Sequence, residues 1–214
     1  SRGTNKSLSS TLNEEERTEA KLTSFDTDGF TLGANAQSNG NGLSLVSWNW
    51  KANGGTTSSN SDGTISSNVT VNSTAGFSIV KFTGTGSNAT VGHGLGVAPA
   101  CVIIKCTNDA QNWRVYHRGM DATAPEDYAL ILNNTTTRDD DNTAFNDTAP
   151  TSTTFSIGTS ATINQNGNIM IAYCFAEKKG FSKFGSYEGN GNVDGTFIYT
   201  GFKPAFVIQR ETGN

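Results

Sequence analysis

Histidine, cysteine, proline and charge are all scarce in this chain, and each scarcity closes off a class of protein. Only His93 and His117 occur in 214 residues, which leaves little room for imidazole acid–base chemistry, where a base needs a positioned partner. Three cysteines cannot make a paired framework. Cys101 and Cys106 stand five apart on one predicted strand, so they point to opposite faces and cannot bridge. Cys174 sits in an apolar run. Lys and Arg total 15 against 19 Asp and Glu, and the formal net charge is −4. The longest basic run is Lys178-Lys179. Nothing therefore calls for a nucleic-acid partner. No run of 18 apolar residues occurs, so no membrane-spanning helix and no membrane insertion are expected. The C-x-x-C, H-E-x-x-H, G-x-S-x-G and P-loop patterns are missing as well. No catalytic residue, metal or cofactor is expected.

What remains is a composition made for strands and turns. Gly, Asn and Thr number 24, 23 and 29, while charged residues are 16% and apolar residues 34%. The seven N-x-Ser/Thr sequons follow from that composition and do not by themselves signal glycosylation. Short apolar or alternating runs recur: Phe77–Phe82, Cys101–Lys105, Trp113–His117, Tyr128–Leu132, Thr154–Ile157 and Ile169–Phe175. Each is bounded by Gly, Pro, Asn, Asp or Ser, as strands are. Trp113, Val115 and His117 share one face of their run. The stretch 12–22 has a capping pattern but is polar nearly all round, and is expected to be loop; its counterpart Thr136–Thr148 shows no helical pattern. The expected fold class is all-β: antiparallel, jelly-roll-like β-sandwich units.

The chain also repeats itself. Gly76-Phe77-Ser78 returns as Gly180-Phe181-Ser182, and Pro99-Ala100-Cys101-Val102-Ile103-Ile104-Lys105 returns as Pro204-Ala205-Phe206-Val207-Ile208-Gln209-Arg210. The offset is 104 and then, after a one-residue insertion, 105. In the other direction, Phe30-Thr31-Leu32-Gly33 matches Phe155-Ser156-Ile157-Gly158, and Trp48 and Trp50 match Tyr173 and Phe175, all at offset 125. A period near 105 is the size of a small domain and too long for a solenoid turn. The expected organisation is therefore units of about 105 residues in tandem. Residues 1–51 are the C-terminal part of a first unit, 52–75 a Gly/Ser/Thr/Asn-rich linker, 76–177 a complete unit and 178–214 the N-terminal part of a third. The linker has room for one short strand near Ile65–Val71. Units cut in this way read as a segment of a longer protein, with a long first junction and a short, stiff second one.

Few side chains stand out as sites. Gly92-His93-Gly94-Leu95-Gly96 is a tight Gly turn without the strand–turn–helix context of a dinucleotide site. His93 has no imidazole counterpart, since Ile198 takes its place. Asp139-Asp140-Asp141 falls on Glu14-Glu15-Glu16 at offset 125. Calcium favours clustered carboxylates, but consecutive residues converge poorly, so a charged contact loop is the expectation. Trp48, Trp50, Tyr173 and Phe175 are expected inside the sheet. Trp113, Tyr116 and Arg118 are the best candidates for a ligand surface, with a glycan as the ligand.

Gly76-Phe77-Ser78-Ile79-Val80, Gly92–Pro99, Asn112–His117, Ile171–Glu177 and Gly195–Phe206, taken together, resemble a repeated β-domain family of marine tailed-bacteriophage virion proteins, often found beside laminin-G-like modules. The resemblance extends over nearly the whole chain, including Arg2-Gly3-Thr4-Asn5-Lys6. It implies a non-catalytic fibre, spike or surface-appendage segment at the particle surface, whose partners are copies of itself and other virion proteins. It implies no catalytic residue. Two other readings stand beside it: a lectin-like host-recognition module binding a surface glycan and, more remotely, a polysaccharide depolymerase, which would need paired carboxylates across a cleft.

Overall fold

The apolar runs punctuated by Gly, Asn and Thr become strands because alternation puts one side of each run into a common core and the turn residues reverse the chain between them. The structure is a computed structural model that describes residues 3–53 and 56–213. Arg2 of the opening stretch, Gly54 and Gly55 of the expected linker, and Asn214 lie outside the described residues.

In chain order the elements are β1 (Lys6–Ser7), β2 (Arg17–Thr18), β3 (Leu22–Phe25), β4 (Phe30–Leu32), the one-turn helix α1 (Ala36–Asn39), β5 (Ser58–Asn60), β6 (Ser67–Asn72), β7 (Phe77–Thr83), β8 (Ala89–Gly92), β9 (Cys101–Cys106), β10 (Arg114–His117), β11 (Tyr128–Ile131), β12 (Asp139–Asp140), α2 (Asn142–Phe145), β13 (Thr154–Ile157), α3 (Ala161–Asn164) and β14 (Ile169–Phe175). The protein is all-β in character, built on one eight-stranded antiparallel sheet in the order β12-β11-β10-β9-β14-β7-β6-β5. Strands β13 and β8 form a separate antiparallel ribbon, and β1–β2 and β3–β4 are small hairpins.

The register defines two faces. Val80, Ala172 and Ile104 lie side by side across β7, β14 and β9, and all are fully buried. Their face carries Phe82, which meets Phe155 of β13 edge to face at 6.1 Å, and Tyr116, which meets Phe145 of α2 at 5.8 Å. The β8–β13 ribbon and α2 therefore cover this face and close the core. Each such aromatic, fully removed from water, contributes roughly 1.5–3 kcal/mol. On the opposite face Ile79, Tyr173, Ile103 and Val115 are in register. Cys101 lies beside Phe175 on this face and Cys106 beside Met170 on the other, as a five-residue spacing dictates.

Two stretches carry more regular structure than their composition shows. Residues 52–75 hold, besides the short strand expected near Ile65–Val71 (β6), the edge strand β5; both extend the main sheet beyond β7, and Ile65 bridges in parallel to Val91. Polar residues dominate here because β5 is the edge strand and β6 buries only part of its length. Thr136–Thr148 contains helix α2, whose single turn is too short to show a 3.6-residue period; Asp141 caps it by accepting from the Thr143 N–H at 3.0 Å.

Candidate functional site

The residues singled out as a glycan surface do not come together. Trp113 is buried: its ring stacks on Tyr173 at 6.3 Å, and its indole N–H donates to the Ser9 carbonyl at 2.8 Å. Tyr116 is buried on the other face of the sheet, and burial pushes its phenol up to about 12. Only Arg118 reaches solvent, and its guanidinium is committed to Glu177 and to the Phe184 carbonyl. An exposed aromatic platform built from these three is thus ruled out by their positions. The sequence could not show this, because the chain covering Trp113 comes from more than a hundred residues away.

The acidic triplets are spoken for as well. Asp141 pairs with the buried Arg114, with Asp139 farther off at 3.9 Å, while Asp139 and Asp140 form β12. Glu14 pairs with Arg17, and Glu16 with Lys6 at 3.7 Å. Glu14, Glu15, Glu16 and Glu19 line an open depression with Asp109, where the Lys21 ammonium holds the Glu19 carboxyl below its usual range. Among the described residues no group of three His, Cys, Asp or Glu is placed to hold a metal ion.

The two histidines serve the backbone. His93 is fully buried; its Nδ1 accepts from the Leu95 N–H at 3.1 Å, so the proton sits on Nε2, which donates to the Thr151 carbonyl at 3.2 Å. Burial lowers its pKa. His117 accepts from the Gly119 N–H, and burial, then the Arg118 charge, lowers it too. Lys105 is buried with its ammonium on the carbonyls of Cys106 (2.6 Å), Asn13 and Asp109, so it fastens the N-terminal stretch to the sheet. No residue pattern marked it in advance.

The feature left over is an aromatic junction at one end of the outer face. Phe77 and Phe175 are cross-strand partners there, 4.9 Å apart. Trp50 sits against Phe175 at 6.2 Å, and Phe184 at 6.3 Å. Phe206 in turn lies 6.3 Å from Trp50 and 5.8 Å from Trp48. Two stretches therefore meet the eight-stranded sheet at one place: the one ending at Lys51, whose carbonyl accepts from Asn72, and the one beginning at Gly180. The second is held down by Glu177, which binds Arg118, the Lys183 ammonium (3.1 Å) and the Phe184 N–H (3.2 Å). Its far end returns to the chain just before β12, where Arg210 donates to the Thr136 carbonyl and the Arg138 N–H to the Thr212 carbonyl.

Trp48 and Trp50, expected inside a sheet, belong to no strand among the described residues and are 61% and 47% exposed. Leu43, Leu45, Val46, Phe197, Tyr199, Val207 and Ile208 are exposed in the same two stretches.

One local structure occurs twice. In α3, the Asn164 amide donates to the Gly158 carbonyl at 2.6 Å; in α1, Asn39 donates to the Gly33 carbonyl at 3.1 Å. The helices Ala161–Asn164 and Ala36–Asn39, and the strands β13 and β4 before them, stand 125 residues apart. Both glycines are obligatory, since a Cβ would come within 2.3 Å of the Thr143 carbonyl oxygen at Gly158 and within 1.9 Å of the Ala20 carbonyl oxygen at Gly33.

A family model described as a domain of unknown function (DUF7483) matches residues 1–214. The chain belongs to that family. No curated protein and no solved structure matches this DUF7483 chain.

Proposed function

We propose that this DUF7483 chain is a non-catalytic structural module whose β-units stand in series along an extended assembly, and that the assembly is a fibre, spike or surface appendage of a tailed-bacteriophage particle. In this reading the closed unit is a two-layer sandwich of the eight-stranded sheet and the β8–β13 ribbon, with copies of the chain and other virion proteins as partners. The observation that carries the structural part is the aromatic junction. There, two stretches that repeat the strand pattern of the closed unit gather with their apolar side chains exposed. The commitment of both histidines to backbone groups supports a non-catalytic role. The phage attribution rests on the sequence resemblance.

The test is direct. Particles of the virus that encodes the chain are purified and labelled with antibody against residues 76–177, and their proteins are identified by mass spectrometry. Decoration of an appendage is the expected result. A chain found in infected cells but never in purified particles would sink the proposal.

A further inference from the structure

We infer that residues 43–50, 181–187 and 204–210 of one chain, which the structure gathers at the junction outside any named strand, close into a second antiparallel sheet in solution, with 43–50 as its central strand. The inference deepens the serial-unit reading and rests on it. In the closed unit β14 lies between β7 and β9. The sequence repeat makes 43–50 the counterpart of β14, 181–187 that of β7 and 204–210 that of β9. All three strands needed for the centre of a sheet are thus present in the two stretches that meet at the junction.

Geometry at the junction fits that pairing. In the closed unit Phe175 is the register partner of Phe77 on one side and of Cys101 on the other. The counterparts of these three are Trp50, Phe181 and Phe206. Trp50 and Phe206 are already in ring contact at 6.3 Å. Trp50, at the end of 43–50, and Phe184, in the middle of 181–187, both lie against Phe175. Alternation would put Trp48, Trp50, Phe206 and Ile208 on one face. With the one-residue insertion of the repeat taken as a bulge within 181–187, Tyr187 and Gln209, the counterparts of Phe82 and Ile104, fall on the other, where the Gln209 amide donates to the Tyr187 hydroxyl at 2.7 Å. The repeated α1 turn supplies a further fit. In the closed unit Asn164 also accepts from the Thr85 N–H and donates to the Ser87 carbonyl, which locks the Gly84–Gly86 turn after β7. Asn39 holds the same place relative to Gly33, and the counterpart turn is Gly189–Gly191.

Both stretches lie against the same residue of the sheet, Phe175, and that closeness favours pairing within the chain over exchange between copies. Trp48 and Trp50 of the first stretch already touch Phe206 of the second. The apolar residues that now face water would then cover one another.

A disulfide reports the register. Asn49 and Val207 are the counterparts of Cys174 and Val102, which are directly opposite in the closed unit. The double variant Asn49→Cys/Val207→Cys, oxidised with glutathione disulfide, is expected to form an intramolecular bridge in the monomer. The off-register pair Asn49→Cys/Ile208→Cys, with its side chains on opposite faces, is expected not to. The three native cysteines are buried and do not compete. Backbone amides of 45–49 in the unmodified chain should exchange roughly a hundredfold more slowly than in an open coil, a measurement that needs no variant. Bridges that form only between copies would overturn pairing within the chain and replace it with strand exchange. Absence of any bridge together with fast amide exchange would overturn the second sheet altogether. Neither result depends on whether the chain is found on particles, so this inference and the proposed function fail separately.

Discussion

Asn164 is fully buried and clamps two loops to one strand end, so its removal gives the sharpest test of the fold. Its amide nitrogen donates to the carbonyls of Gly158 at 2.6 Å and Ser87 at 2.7 Å, and its amide oxygen accepts from the Thr85 N–H at 2.8 Å. In Asn164→Ala the three backbone groups lose their partner. Gly158 is buried, so its carbonyl would stay dry and cost about 1–3 kcal/mol, whereas Thr85 and Ser87 are exposed and can rehydrate at about 0.5–1 kcal/mol each. The sum is about 3 kcal/mol, or a fall in melting temperature of about 6–12 °C for a chain of this size. Urea unfolding followed by far-UV circular dichroism should show a lower midpoint with an unchanged slope, since the surface exposed on unfolding stays the same. Asn164→Asp keeps the acceptor but loses both donors and buries a charge, and should be at least as damaging. A loss below about 1 kcal/mol in the alanine variant would refute the clamp, because even net-neutral bonds of this kind carry that much.

Three further outcomes are expected. Asp141→Ala removes both the partner of buried Arg114 and the cap of α2, and should cost about 3–5 kcal/mol, the range for breaking a buried pair from one side; chemical denaturation measures it. Burial holds His93 and His117 below the usual histidine value of about 6.5, so the unfolded chain takes up protons first as pH falls. Their contribution to stability is therefore complete above about pH 7 and declines as pH drops from the unfolded value toward the lower folded one, and NMR titration should find both imidazoles titrating below a free histidine. Burial pushes the Cys101 thiol up to about 12 and raises Cys174 further, and all three cysteines are buried. A thiol reagent at pH 8 should modify none of them in the native protein and all three in denaturant, with no change in stability on adding reductant.

The sequence carried the local structure well, because strand identity depends on alternation and turn residues that sit close together in the chain. The runs at β7, β9, β10, β13 and β14 became strands near their expected limits. The placement of Trp113, Val115 and His117 on one face follows from period 2 alone. Likewise, Gly33 and Gly158 recur because a strand-to-helix turn with a carbonyl this close admits no side chain. The candidate site was much less legible. Whether Trp113 meets sugar or protein depends on Ser9, and whether Asp141 binds an ion or an arginine depends on a strand 27 residues away.

By itself, then, the sequence determined that this chain is made of strands, where they turn, and which stretches share a pattern. Only the tertiary structure decided the order of those strands in the sheet, the burial of Lys105, Arg114 and Trp113, and the gathering of Trp50, Phe175, Phe184 and Phe206 at one junction. The reason is physical. Alternation and turn chemistry act over a few residues, whereas antiparallel pairing joins residues far apart in the chain, and a polar or aromatic side chain is buried only when distant backbone arrives to satisfy or cover it.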